Sequence, residues 1–465
     1  MENYLEADVA IVGAGAAGLM AACAAAGSRD AAGLKIVLLE RNDRPGRKLS
    51  ITGKGRCNIT NSAEKEQFMR NIPGNGKFLF SVFSKMSNTD IVAFFEHIGV
   101  GVVLERGGRY FTKSGDAREV TDALAGTAGE RGARLMCGVR VVSVKSARGI
   151  DGNDGNDKTF AERDGDLAFY AITDGAQAFS KDGVARSGAY RFILTFKNNQ
   201  KLLARSVIIA TGGIAYPATG STGDGYGFAE SFGHAIITPR PSLVPLETYE
   251  DWPRGLTGLT LKNITLRMYS PDGRKLFSGL GELLFTHFGV SGPLVLSASR
   301  AMLDTGYTGC VAKIDLKPGL SDEKLKARIT RDFTVYAKKR LKNAMIDLMP
   351  ARLIPIVIFN AGLDPENRAD AIGKAGIAKI SEAMKGLALT ISAPRPPSEA
   401  IITAGGVKTD EINPATMESK LTPGLFFCGE VIDVDAYTGG YNLTIAFATG
   451  HTAGINAVKS CYDLQ

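Results

Sequence analysis

A chain of 465 residues is too long for one small core and predicts two or three domains. With 44% hydrophobic residues it reads as an ordinary folded protein, and its formal net charge of +7, from 55 Lys and Arg against 48 Asp and Glu, is too weak an excess to single out nucleic acid. The six cysteines form no CxxC and the four histidines no metal-ligand cluster, so neither a zinc knuckle nor a thioredoxin-type pair is supported and no metal site is expected.

Residues 7–13, ADVAIVG, read as a buried strand, followed by a glycine turn, the small-residue helix AAGLMAACAAA and a second strand, LKIVLLE. That order makes a βαβ unit, and two wholly apolar strands fit a parallel sheet covered on both faces. The acidic residues ahead of the first strand differ from the basic start of a secretory signal, and no span of about 20 apolar residues follows. A soluble, cytoplasmic protein without membrane insertion is the expectation. SNTDIVAFFEHIG predicts a helix starting near Ser87 or Asn88 and ending near Gly99, and REVTDALAGTAGERGARL a second helix leading to the strand GVRVVSV. The Asp- and Gly-rich stretch from 147 to about 186, with β-like pieces such as LAFYAI, reads as an exposed excursion from a β-meander. SVIIATGG then returns the chain to the nucleotide domain. In NITLRMY, Ile264, Leu266 and Met268 share one face of an extended segment. Beyond Pro318, Leu325, Ile329, Phe333, Ala337, Leu341 and Met345 recur every four residues and predict one long helix. The expected division is a discontinuous nucleotide domain, 1–239 with 395–465, a β-rich insertion, 240–317 with 387–394, and a helical subdomain, 318–386.

VGAGAAG places Gly13, Gly15 and Gly18 in a GxGxxG pattern between a strand and a helix. Gly13 suits the tight turn, Gly15 the approach of a pyrophosphate and Gly18 helix–strand contact, while the helix start offers unpaired N–H groups to phosphate. Glu40 ends the next strand, where a carboxylate accepts ribose hydroxyls. These residues predict dinucleotide binding without separating FAD from NAD. Later segments do. Thr211 and Gly212 end a strand with little bulk, and TGDG at 222–225 precedes a short helix. Near the end, Gly429, Glu430 and Asp433 suit a ribityl chain, and the N–H groups around Gly440, Tyr441, Asn442 and Leu443 suit a flavin C2 carbonyl, where reduction places negative charge.

The phrases RPGRKLSITGKGRCNIT, TGGIAYPATGSTGDGYGFAESFGH, GELLFTHFGVSGP, ITAGGV and EINPATMESKLTPGLFFCGEVIDVDAYTGGYNLTIAFATG occur in that order. Together they closely resemble a bacterial family of NAD(P)/FAD-dependent oxidoreductase flavoproteins, aminoacetone-oxidase-like, which also includes a bile-acid-pathway reductase. The resemblance spans about residues 8–456. It implies an α/β fold, a Rossmann-like FAD-binding domain interrupted by a β-barrel-like region and a small helical domain. It puts Gly13, Gly15, Gly18 and Glu40 on the ADP half of FAD, and Lys48, Gly53, Gly55, Arg56, Cys57 and Asn58 near the pyrophosphate, ribityl chain or flavin. Thr211, Gly212, Gly429, Asp433 and residues 440–443 follow beside the strand edge and the ring. Ala16, Ala17, Arg41, Val139 and Glu430 complete the expected cofactor set. Ala436 stands where the family usually has Gly, so a positive φ there would strain or shift the loop.

The expected chemistry is hydride transfer at flavin N5, from NAD(P)H as a transient co-substrate to a small or apolar organic acceptor. No second GxGxxG with a following strand and acid marks a nicotinamide site. Amine oxidation with oxygen, a non-enzymatic flavin redox sensor and an FAD enzyme acting on RNA are the alternatives. A small-molecule substrate, and no stable nucleic-acid partner, is the expectation. His287, in THFG on a glycine-rich loop, and Tyr441 are the candidates for proton exchange, each with a structural role as the alternative. Cys57, without a partner cysteine, is not expected to be redox-active.

Overall fold

In the computed structural model, which describes residues 4–147 and 190–462, the first apolar run forms the strand Leu5–Val12, and its parallel neighbour is Ile36–Leu39. All four residues of Ile36–Leu39 are buried, as a sheet covered on both faces requires. The expected excursion at 147–186 lies, beyond Ala147, outside the described residues. The chain divides into two units, Met1–Arg240 with Ile402–Gln465, and Pro241–Ile401.

Among the described residues of the first unit, one sheet runs in the order Arg134–Met136, Ile36–Leu39, Leu5–Val12, Lys201–Ile209, Phe192–Phe196, Val141–Ser146. The strand Lys201–Ile209 lies parallel to Leu5–Val12 along most of its length. Its first half pairs antiparallel with Phe192–Phe196, and its second half pairs parallel with Leu425–Phe427. Two distant parts of the chain therefore meet on one strand, and the parallel strands carry the turns that follow Val12, Leu39, Ile209 and Phe427 to the same edge. A smaller antiparallel sheet of Asn58–Asn61, Arg109–Thr112 and Val102–Glu105 supports the glycine-rich segment before it. Arg134 and Leu135, expected at the end of a helix, instead begin the edge strand Arg134–Met136. Gly132, at φ +97°, stops the helix Ala117–Glu130, and Ala133 N–H closes on Ala128 O at 2.9 Å.

The helix Ala16–Ala26 packs along Tyr441–Ser460, the helix that ends the unit. Gly450 and Gly454 make this possible: a Cβ on either would collide with the carbonyl oxygen of Ala17 or Ala21. The small-xxx-small spacing brings two backbones together, and Gly429 adds a third approach, with an added Cβ 2.7 Å from that of Ala17.

The second unit contains a closed antiparallel barrel of Leu246–Thr248, Gly289–Ser291, Lys275–Thr286, Thr260–Tyr269, Val311–Asp315 and Leu387–Pro394. Ile264, Leu266 and Met268 are buried on alternate positions of Thr260–Tyr269. The helices Asp322–Val335 and Lys374–Lys385 pack together between the last two barrel strands in sequence. The single long helix expected beyond Pro318 is broken. Arg340 is extended, bridges Arg368 and is followed by Leu341, whose N–H donates to Asn367 O at 2.7 Å, and only the short helix Leu341–Ala344 resumes. Leu325, Ile329, Phe333, Leu341 and Met345 are nevertheless all buried, so the repeat of four reported a buried face that continues through the break. No helix among the described residues is long and apolar enough to cross a membrane.

Candidate functional site

The strand Leu5–Val12 delivers the chain into a turn whose three glycines meet different constraints. Gly13 has φ +102°, donates to Leu39 O at 2.8 Å and would place a Cβ 2.7 Å from Ala210 O. A Cβ on Gly18 would collide with the Gly13 carbonyl oxygen. Gly15 differs: its φ is −79°, and a Cβ there would meet no atom within 4 Å. Gly13 and Gly18 are thus demanded by the turn, while Gly15 borders open space. The helix beginning at Ala16 and Ala17 has no side-chain cap and no acid in its first turn, which leaves the positive end of its dipole available to an anion.

Glu40 is buried, and its carboxylate accepts from Ala14 N–H at 2.9 Å and from Asn42 N–H and Nδ2 at 2.8 and 2.7 Å. Burial pushes its pKa up, against the pull of those donors and of Arg41. Glu40 therefore ties the second strand to the glycine turn. Each of its oxygens keeps acceptor capacity for a further donor. Arg41 Nη1 reaches Thr222 Oγ1 at 2.5 Å and Asp224 at 3.2 Å, so it braces the TGDG segment. Val139 N–H donates to Glu40 O at 2.9 Å, placing the Val139 backbone beside this strand end.

The segment 53–57 turns through the left-handed region at Gly53, Lys54, Gly55 and Cys57. Arg56 leaves it to pair with Glu105 and stack over Phe111, with the guanidinium carbon 4.4 Å from the ring centroid. Cys57 is fully buried, and burial pushes its thiol up to about 12, so it is not a thiolate. With its amide oriented to satisfy both ends, Asn58 accepts from Gly440 N–H at 3.0 Å and donates to Thr60 O at 3.1 Å. Lys48 Nζ pairs with Glu430 at 2.7 Å, and the other Glu430 oxygen accepts from Thr403 N–H at 2.8 Å. Glu430 joins three segments of the unit.

The edge is completed by Thr211, Gly212 at φ +74°, Gly429 at φ +76° and the turn at 439–443. A Cβ on Gly440 would stand 2.5 Å from Thr60 O, so the turn lies directly on the strand Asn58–Asn61. From it springs Tyr441–Ser460, again with no side-chain cap and no acid in the first turn. Asn442 is committed to the acidic loop: its amide accepts from Ala436 N–H at 3.0 Å and donates to Ala436 O at 2.9 Å. Ala436 is not among the residues of positive φ, so the glycine replacement carries no strain. Asp433 is held by Asn75, which donates to both its backbone oxygen and its carboxylate. Two buried hydroxyls at this edge, on Thr211 and Tyr226, have no hydrogen-bond partner among the described residues. Open space at Gly15, uncapped starts of two helices and buried donors without acceptors are what an extended, partly anionic ligand would complete.

Comparison with known proteins matches the HI0933-like protein Rossmann domain to residues 7–163 and 176–456. The chain belongs to the HI0933-like family. Its first unit is therefore a Rossmann-like FAD-binding domain, and the protein a flavoprotein oxidoreductase. Among curated HI0933-like relatives, the chain is 28% identical over 463 residues to the 3-dehydro-bile acid delta(4,6)-reductase of Clostridium scindens, covering 97% of this chain and 99% of that protein. It is 27% identical over 446 residues to the ribosomal RNA dihydrouridine synthase of Haemophilus influenzae, covering 96% and 97%. The protein of the same name from Escherichia coli is 26% identical over 450 residues, covering 97% and 96%.

Within this HI0933-like chain the two expected proton carriers stand in different units. Tyr441 is buried, its ring edge-on to Phe68 at 4.8 Å, and burial pushes its phenol up. His287 is exposed and belongs to the barrel unit. The glycine-rich loop expected around it is a two-residue hairpin: Thr286 pairs with Gly289, the strand Gly289–Ser291 runs back, and a helix starts at Pro293. Among the described residues no group of three or more His, Cys, Asp or Glu could hold a metal ion. Sequence reasoning did not single out Tyr226 or the Gly450 and Gly454 contact. GxxxG opposite an alanine-rich helix was the available signal for the latter.

Proposed function

We propose that this protein uses FAD to pass hydride from NAD(P)H to a carbon–carbon double bond conjugated to a carbonyl. The observation that carries the reading is the uncapped start of Tyr441–Ser460, fixed by Asn58 and the Gly440 turn, because donors held there favour negative charge gained on reduction. Bound FAD supplies hydride acceptance and donation through N5. In this reading the backbone at Gly15, Ala16 and Ala17 holds the pyrophosphate, Glu40 and Val139 flank the adenosine, and Asp433 holds the ribityl chain. The N–H groups of Tyr441, Asn442 and Leu443 face the ring carbonyl. Lys48, Glu430 and Asn442 position these segments through the ion pair and loop contacts described above. The relatives' names support the acceptor class. A bile acid delta(4,6)-reductase and a dihydrouridine synthase both name products in which a ring double bond has been saturated. Saturation takes one hydride and one proton.

An anaerobic titration with NADH and then NADPH tests the donor, following the oxidised flavin band near about 450 nm. Bleaching by either nucleotide is expected, with stoichiometric return of the band on adding an acceptor. A flavin reducible by dithionite but by neither nucleotide would sink the NAD(P)H donor and favour amine oxidation.

An RNA acceptor is favoured by the distribution of charge. The unit Pro241–Ile401 carries 22 Lys and Arg against 16 Asp and Glu, a net of +6, whereas the rest of the chain has 33 against 32. Lys338, Lys339 and Arg340 lie exposed on that unit. Salt-sensitive binding of ribosomal RNA, with reoxidation by RNA but not by a steroid-like enone, would establish this reading, and the reverse pattern would exclude it.

A further inference from the structure

Thr211 and Tyr226 come from neighbouring elements of the FAD-binding unit. Thr211 follows the strand Lys201–Ile209, and its hydroxyl lies over Gly225, where a Cβ would collide with it. Tyr226, the next residue of the helix Asp224–Ser231, is 8% exposed, with its ring packed on Gly223. The Tyr226 hydroxyl is buried without a hydrogen-bond partner among the described residues. Burial, and then the carboxylates of Glu430 and Asp433, hold the phenol above its usual range, so it stays protonated as a donor. Glu430 is occupied by Lys48 and Thr403, and Asp433 by Asn75. A buried O–H that donates to nothing destabilises a fold, and an acceptor on a bound ligand would relieve that cost.

We propose that Tyr226 is a cofactor-binding residue, donating from its hydroxyl to an oxygen in the ribityl–pyrophosphate stretch of FAD. This assignment rests on the FAD reading above and adds a residue to it. Glycines at 212, 223 and 225 bring the phenol to the same edge as Thr211, Glu430 and Asp433 without side-chain bulk between them.

Tyr226→Phe keeps the ring and removes only the donor. Its effect should differ between the two forms of the protein. In the FAD complex the dissociation constant rises about tenfold, which corresponds to about 1.4 kcal/mol, and the urea midpoint falls. In flavin-free protein the urea midpoint is unchanged or higher, because the lost hydroxyl had no partner there. Equal FAD affinity in the variant and wild type would overturn the assignment, as would a loss of stability in the flavin-free variant as large as that in the complex, which would mean that the hydroxyl serves the fold. Failure of the wild-type protein to bind FAD would overturn the site reading itself, and this assignment with it.

Discussion

Gly15→Val is expected to leave the fold standing and to remove FAD. A side chain at Gly15 meets no atom within 4 Å, and the backbone there, at φ −79° and ψ −170°, is one that valine adopts. Loss of a modest N-cap residue costs the flavin-free protein about 1 kcal/mol or less. The same isopropyl group would occupy the space in front of the helix start, where the pyrophosphate must approach the backbone within hydrogen-bonding distance. FAD affinity should therefore fall at least about 100-fold, or about 2.7 kcal/mol. Equilibrium dialysis of FAD beside thermal unfolding of the flavin-free variant separates the two effects. Gly18→Ala provides the contrast, because its Cβ collides with the Gly13 carbonyl and should lower stability and cofactor binding together.

Gly450→Val should damage the fold itself. The Gly450 position faces the Ala17 carbonyl oxygen so closely that even a methyl group forces the helices apart, and Gly454 repeats the constraint one turn on against Ala21. Separation would also strip contacts from Phe447, Ala448 and Ala453, all fully buried. Overpacking costs about 1–3 kcal/mol where side chains can adjust, and a backbone obstacle cannot adjust in that way, so about 3 kcal/mol or more is expected in urea unfolding. Gly126→Ala is the opposite case. It lies inside the helix Ala117–Glu130 with nothing within 4 Å of its Cβ, and should gain about 0.5–1 kcal/mol. A Gly450 variant as stable as wild type would show that the two helices are not held at this distance in solution.

The first βαβ unit was legible because each local signal agreed with the next: Gly13 and Gly18 admit no side chain, residues 9–12 and Ile36–Leu39 are apolar and buried, and they flank the turn and helix. The long ordered phrases identified the family, whose Rossmann-domain model matches residues 7–163 and 176–456. What could not be read was how the expected site residues are employed. Glu40, Arg41, Lys48 and Glu430 carry much of their geometry as ties between segments, and only three-dimensional structure shows that Glu430 meets both Lys48 and Thr403. Burial periodicity proved a better guide to the buried face than to helix continuity. Leu341 and Met345 keep the repeat of Leu325, Ile329 and Phe333 although the backbone at Arg340 is extended. His287 showed the converse: glycines at 289 and 292 suggested a loop, but both serve strand and helix boundaries at positive φ. Tyr226 was invisible because nothing in a lone tyrosine after TGDG says that its hydroxyl will be buried without a partner.

Binding of FAD by the unit Met1–Arg240 with Ile402–Gln465 is tested most directly by titrating flavin-free protein with FAD and, separately, with FMN, following flavin fluorescence. In the proposed reading the glycine turn and Glu40 hold the ADP half, of which FMN retains one phosphate and lacks the AMP. The expected result is one FAD per chain and FMN binding at least about 100-fold weaker, the loss of roughly 2.7 kcal/mol of contacts to that half. Equal affinity for the two flavins, or no saturable binding of FAD, would contradict it.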